Sequence, residues 1–119
     1  MQLQLKNLNN TTALMHLHGS LIEQYHLPDV LTKVASNTTP QTINFIIDLQ
    51  HITGINSSGL NLLLQVLTKT RNAGGETILI NLPPTLHNLL IVTKLNSIFT
   101  IAHSLEQAIE MLGQTTHIQ

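Results

Sequence analysis

Two short stretches carry side chains whose types and spacing could do chemistry. The first is Asn56-Ser57-Ser58-Gly59, which leads into the leucine-rich run from Leu60 to Arg71. Asn and Ser accept the free backbone N–H groups of a helix's first turn, so capping alone accounts for these residue types. The same hydroxyls are also well placed to carry a phosphate. A helix N-terminus favours negative charge, and the added group presents about −2 charge to whatever docks there. Helix periodicity leaves Ser57 and Ser58 equivalent, because both fall near the edges of the polar arc. Nucleophilic catalysis is poorly served: a hydrolase elbow reads G-x-S-x-G, and the first glycine is missing here. Asp48 and His51 lie close by in the same strand and turn, an arrangement too local to build a catalytic triad. Neither a GxxxxGK[ST] loop nor a GxGxxG fingerprint occurs. The second stretch is His16-Leu17-His18, where strand alternation puts two imidazoles on one face. Two ligands do not make a metal site, and no cysteine or close carboxylate completes this one in the sequence. His26, His87, His103 and His117 share no spacing, and Asp48 at a strand end is expected either to orient a loop or to stay solvated. No metal, no cofactor and no enzymatic activity are expected.

The elements that must position these residues follow from periodicity. Gln2 to Lys6 alternates polar and apolar, Asn7 to Thr12 supplies turn residues, and Ala13 to His18 alternates again until Gly19 ends the run. Leu27 to Ala35 reads as a helix with Pro28 and Asp29 near its start. Ile43 to Leu49 is almost continuously apolar, the pattern of a strand covered on both faces. The helix from Leu60 onward has Asn61, Gln65, Thr68, Lys69 and Asn72 on its polar arc. Lys69 and Arg71 suit the negative end of its dipole, and Gly74-Gly75 can supply a left-handed stop. Glu76 to Asn81 reads as a strand, and Pro83-Pro84-Thr85 opens a helix to about Lys94. Ile98 to Ile101 is a short strand, and Ser104 caps a last helix to Leu112, with Gly113 to Gln119 a frayed tail. The strand–helix alternation after residue 40 implies a largely parallel sheet with crossover helices.

At 119 residues the chain has room for one domain, expected over residues 1–113 with a tail at 114–119. Hydrophobic residues make up 42% but charged ones only 9%, so Asn, Gln, Thr, Ser and His must supply the polar surface. Net charge is −1, and Lys6, Lys33, Lys69, Arg71 and Lys94 are scattered, which argues against nucleic acid as a partner. The absence of cysteine excludes disulfides. The N-terminus alternates instead of forming a signal-peptide core, no run approaches the ~20 apolar residues of a membrane span, and a cytoplasmic location is expected.

The central and C-terminal text resembles the STAS domain of bacterial anti-sigma-factor antagonists. That family has a strand ending in D-L, a short loop, then D-S-S-G-L and a leucine-rich helix. Here these elements read Asp48-Leu49, then Asn56-Ser57-Ser58-Gly59-Leu60, then Leu62-Leu63-Leu64. A glycine pair before a strand is matched by Gly74-Gly75 ahead of Ile78-Leu79-Ile80. An L-x-x-T-G-L-x-x-x-F-like segment is matched by Leu90 to Phe99, with Lys94 in place of the glycine. The family's aspartate before the serines is Asn56, and its G-x-L-D reads Gly19-Ser20-Leu21-Ile22, with Glu23 one place late. The resemblance implies a single α/β domain with a mixed, mostly parallel sheet of four to five strands and about four helices packed against it. It also implies partner switching. The unphosphorylated domain binds an anti-sigma factor, usually a serine protein kinase of the histidine-kinase-like ATPase type, and phosphorylation of the first serine, which maps to Ser57 ahead of Ser58, releases it. A serine phosphatase resets the switch. The expected partner-binding residues are Asn56, Ser57, Ser58, Gly59, Asn61 and Gln65. The alternative, favoured by the altered acidic positions, is a STAS module that binds constitutively, as a subunit of an ABC-type lipid-transport complex or a signalling scaffold.

Overall fold

The computed structural model of the protein describes residues 2–21, 32–34, 36, 38–55 and 57–117, with side chains for all of these except Gln2, Leu21, Ser57, Ser58 and residues 113–117. Among these residues five strands form one sheet in sequence order: β1 (Gln2–Asn7), β2 (Thr12–Leu21), β3 (Asn44–Ile55), β4 (Thr77–Ile80) and β5 (Thr100–Ala102). β1 pairs antiparallel with β2, and every later pairing is parallel. The hairpin between β1 and β2 is closed by Asn9, whose Oδ1 accepts from the backbone N–H groups of Thr11 and Thr12 at 2.8 and 2.9 Å. This is an Asx turn, the local reason an Asn-rich loop folds back here. The parallel strands are linked by α1 (Ser57–Asn72) and α2 (Pro84–Val92), and α3 (Leu105–His117) follows β5. Residues 32–34 and 36 are also helical, while the rest of the helix expected over 27–35 lies outside the described residues.

Two cores flank the sheet. On one face Met15, Leu17, Phe45, Ile47, Leu49 and Leu79 pack against Leu63, Val66 and Leu67 of α1 and Leu86 and Leu90 of α2. On the other, Leu14, Ile46, Ile78, Ile80 and Ala102 meet Ala108 and Leu112 of α3. The apolar run from Phe45 to Leu49 is therefore buried throughout.

Several boundaries differ from those the sequence suggests. β2 continues through Gly19, which takes φ +94° without breaking the strand. β3 runs on from Leu49 to Ile55 because β2 keeps pairing with it, so Asp48 lies mid-strand and not at a strand end. α2 stops at Val92: Thr93 is its C-cap, Lys94 adopts the left-handed conformation at φ 63°, and a short 3₁₀ turn (Leu95–Ser97) follows. β5 starts at Thr100, after that turn, and α3 continues past Gly113 to His117.

The end of α1 matches the expectation of a left-handed stop. Gly75 N–H donates to Thr70 O at 2.7 Å and Gly74 N–H to Arg71 O at 3.0 Å, with Gly74 at φ +84°. This is the paired bonding of a Schellman cap. Gly75 is required for a second reason: a Cβ there would sit 1.8 Å from the carbonyl oxygen of Ile43, at the entry to β3.

Candidate functional site

All four parallel strands, β2 to β5, point their carboxyl ends to one edge of the sheet, the edge at which ligands and partners gather in open α/β folds. Ser57 opens α1 there, two residues after β3 ends at Ile55. Asn56 lies outside the described residues. The positions of Ser57 and Ser58 follow from the helix backbone, and Gly59 behind them is buried. Asn61 and Gln65 are exposed, whereas Leu62 is buried. Residues four apart share a helix face, so the row headed by Ser57 continues through exposed Asn61 and Gln65. The row headed by Ser58 continues into buried Leu62.

No acidic side chain occupies the first turn of α1, and its basic residues, Lys69 and Arg71, are in the last turn. Arg71 donates from Nη2 to the carbonyl of Ile98 at 2.7 Å, tying the far end of the helix to the segment before β5. The next strand ends on the same edge are also polar. Asn81 follows β4 at φ 56°, and Ser104 precedes α3. Ser104 caps α3 as expected: its Oγ accepts from Gln107 N–H at 3.2 Å, while Gln107 Oε1 accepts from His103 N–H at 2.6 Å. This reciprocal pairing is closely related to a capping box.

Asp48 has a role that sequence reasoning missed. It is 8% exposed, and its carboxylate accepts from His16 Nδ1 at 2.9 Å, from Gln50 N–H at 3.0 Å and from Asn81 Nδ2 at 3.2 Å. The reason lies in the register. His16 pairs with Asp48 and His18 with His51, so β3 carries one more residue than β2 across this step. Such a bulge takes an amide out of the ladder, and Asp48 Oδ1 satisfies the Gln50 amide. The expectation that no carboxylate stands near His16 is thereby corrected: Asp48 is 32 residues away in sequence but on the neighbouring strand. Among the described residues no three His, Cys, Asp or Glu side chains converge as a metal site in this arrangement. A cavity of about 290 Å³ near Lys69 and Thr70 lies at the opposite end of α1 from Ser57. Thr70 Oγ1 there is already engaged by Leu67 O and Thr77 Oγ1. No helix among the described residues is long and apolar enough to cross a membrane.

Comparisons with known proteins agree with this architecture. The family model of the STAS domain matches residues 7–108. The anti-sigma factor antagonist SpoIIAA in its unphosphorylated form superposes with a TM-score of 0.71 at 20% identity, over 93% of this chain and 97% of that one. The Bacillus cell fate determinant SpoIIAA in the phosphorylated form gives 0.70 at 21%, over 93% and 99%. A sulfate transporter family protein from Wolinella succinogenes gives 0.74 at 14%, over 94% and 93%. At these identities the structural likeness speaks for the fold, and the family match covers most of the chain: the protein belongs to the STAS domain family.

Proposed function

We propose that this STAS domain is an anti-sigma-factor antagonist that works by partner switching, with Ser57 as the phosphate acceptor. The observation that carries the reading is the place of Ser57. It is the first residue of α1, at the carboxyl edge of the sheet, and it heads a helix row that continues through exposed Asn61 and Gln65. The partner is an anti-sigma factor that is itself a serine protein kinase of the histidine-kinase-like ATPase type, and a serine phosphatase reverses the modification. The unphosphorylated edge, with Asn56, Ser57, Ser58, Gly59, Asn61 and Gln65, packs against that partner in the cytoplasm. A phosphate on Ser57 is favoured locally by the positive end of the helix dipole. Against a close-packed partner the same dianion imposes repulsion and desolvation, and the complex separates. No step requires the domain to catalyse a reaction.

The test is to incubate the protein with the kinase and ATP and to map the modified residue by mass spectrometry. Phosphate on Ser57, loss of the complex in Ser57→Asp and a persistent, unswitchable complex in Ser57→Ala are expected. Phosphate elsewhere, or none with a kinase that demonstrably binds, removes the switch.

The second reading, a STAS module that binds its partner constitutively, is favoured by Asn56 standing where the antagonists carry an acid. The likeness to a sulfate transporter family protein shows that the same fold serves in another setting. Co-purification with an ABC-type ATPase or a transport complex, unaffected by Ser57→Asp, would select this reading.

A further inference from the structure

The cavity of about 290 Å³ at the far end of α1 lies between the last turn of that helix, the start of β3 and the loop before β3. Its size is near the lower end of the range for small-molecule sites. Bonds within the protein fix its walls. The loop wall is a turn in which Thr42 N–H donates to Thr39 O at 3.0 Å. Pro40 takes the second position of that turn, where its restricted φ favours the bend. The helix wall is held by the Schellman cap, and there Ala73 N–H takes up Lys69 O at 3.2 Å while Gly75 N–H takes up Thr70 O. Phe45, which lines the cavity from β3, is 1% exposed and anchored in the core.

The polar groups that line the cavity differ in how far they are already committed. Thr38 Oγ1 donates to Val34 O at 2.7 Å, and Thr39 Oγ1 donates to Gln41 Oε1 at 3.2 Å. Thr70 Oγ1 is engaged by Leu67 O and Thr77 Oγ1. Thr42 Oγ1 accepts from Thr39 N–H at 3.2 Å, but its own O–H has no acceptor among the described residues. Lys69 likewise has no hydrogen-bond or ion-pair partner among them, and no acidic side chain is among the lining residues. The uncommitted side-chain groups are therefore one ammonium and one hydroxyl, both donors, beside the apolar surfaces of Phe45, Pro40 and Ala73.

We infer that this cavity binds a small organic monocarboxylate with an apolar body. The carboxylate accepts from Lys69 Nζ and from the Thr42 hydroxyl, and the body lies against Phe45, Pro40 and Ala73. Donors without a neighbouring acid select an anion, because charge-assisted hydrogen bonds to a carboxylate are stronger than those to a neutral acceptor. A single ammonium matches a single negative charge, and the apolar surface favours a ligand with a hydrocarbon part over a bare inorganic ion. Ser57 opens the other end of α1, so the site stands whether or not the phospho-switch does.

The experiment is an NMR titration of the full chain with benzoate and, separately, with its neutral counterpart benzamide and with acetate. Saturable shifts of the Thr39, Thr42, Lys69 and Ala73 amides are expected with benzoate, at a Kd of about 1 mM or tighter for so small a ligand. Benzamide, which lacks the charge, and acetate, which lacks the apolar body, should each bind at least about fivefold more weakly. Lys69→Gln removes the charge at an exposed helix position, keeps the fold, and should weaken benzoate by about fivefold or more. Ala73→Leu should fill the cavity and abolish the shifts, whereas Lys94→Gln should leave them unchanged. If Ala73→Leu proves unfolded by circular dichroism, Lys69→Gln decides alone. Undiminished binding in folded Lys69→Gln, equal binding of benzamide or acetate, shifts confined to residues outside the cavity, or no saturation by about 10 mM benzoate overturns the site.

Discussion

β3 is two strands in one, and the contrast between its halves shows how this domain divides its labour. From Phe45 to Leu49 every residue is buried, with alternate side chains feeding the two cores. From Gln50 to Ile55 only Ile52 is buried, and the pairing with β2 slips at two places. The first half has helices on both sides and holds the sheet together. The second half has β2 as its paired neighbour and delivers the chain to Ser57. A substitution of given size should therefore cost much in the first half and little in the second. Ile47→Ala, at a position with no exposure, should lower unfolding free energy by about 2–5 kcal/mol in urea denaturation. A cost below about 1 kcal/mol would mean that the inner half is far more adaptable than its burial suggests.

The second test concerns the entry to that inner half. Gly75→Ala would place a methyl group against the Ile43 carbonyl, a backbone atom with little freedom to retreat. A loss of about 1–3 kcal/mol is expected in the same assay. The third sits at the junction. Asp48→Asn keeps the size of the side chain but replaces one acceptor oxygen by a donor, in a site where three donors converge. A loss of about 1–3 kcal/mol is expected, with faster hydrogen exchange of the Gln50 amide. An unchanged Gln50 amide would show that the bulge does not depend on the carboxylate.

The same division explains what the sequence made legible. Where local and tertiary signals agree, the reading holds: the apolar run into Leu49 forms the inner half of β3, Gly74-Gly75 forms the Schellman cap, and Ser104 caps α3. Where a neighbouring strand overrides local chemistry, it does not. Gln50-His51 and Gly19 have the composition of strand ends, yet β2 and β3 keep pairing past both. Lys94 is a good helix former but sits at φ 63°, because the chain turns there into the 3₁₀ segment before β5. The Asp48–His16 contact could not be read at all, since it depends on the register between strands 32 residues apart. The candidate switch was visible as a motif: periodicity left Ser57 and Ser58 equivalent, and the family resemblance alone put Ser57 ahead. What the structure adds is the surroundings of the helix that Ser57 opens: Asn61 and Gln65 are exposed and Leu62 is buried.

The smallest effect is expected where the outer half of β3 meets β2, at the His18–His51 stack. Neither ring belongs to a core cluster, so the stability it contributes is that of a cross-strand pair alone. His18→Ala, His51→Ala and the double variant form a cycle whose coupling energy should be about 0.2–1 kcal/mol. A coupling of that size, set beside the loss in Ile47→Ala, means that the outer ribbon can rearrange its side chains at a cost the inner half would not tolerate. That freedom is what a strand needs if its far end must meet a partner while its near end stays fixed. A coupling near the cost of Ile47→Ala would instead make the imidazole pair a second point of rigidity, and the two halves of β3 would no longer differ in kind.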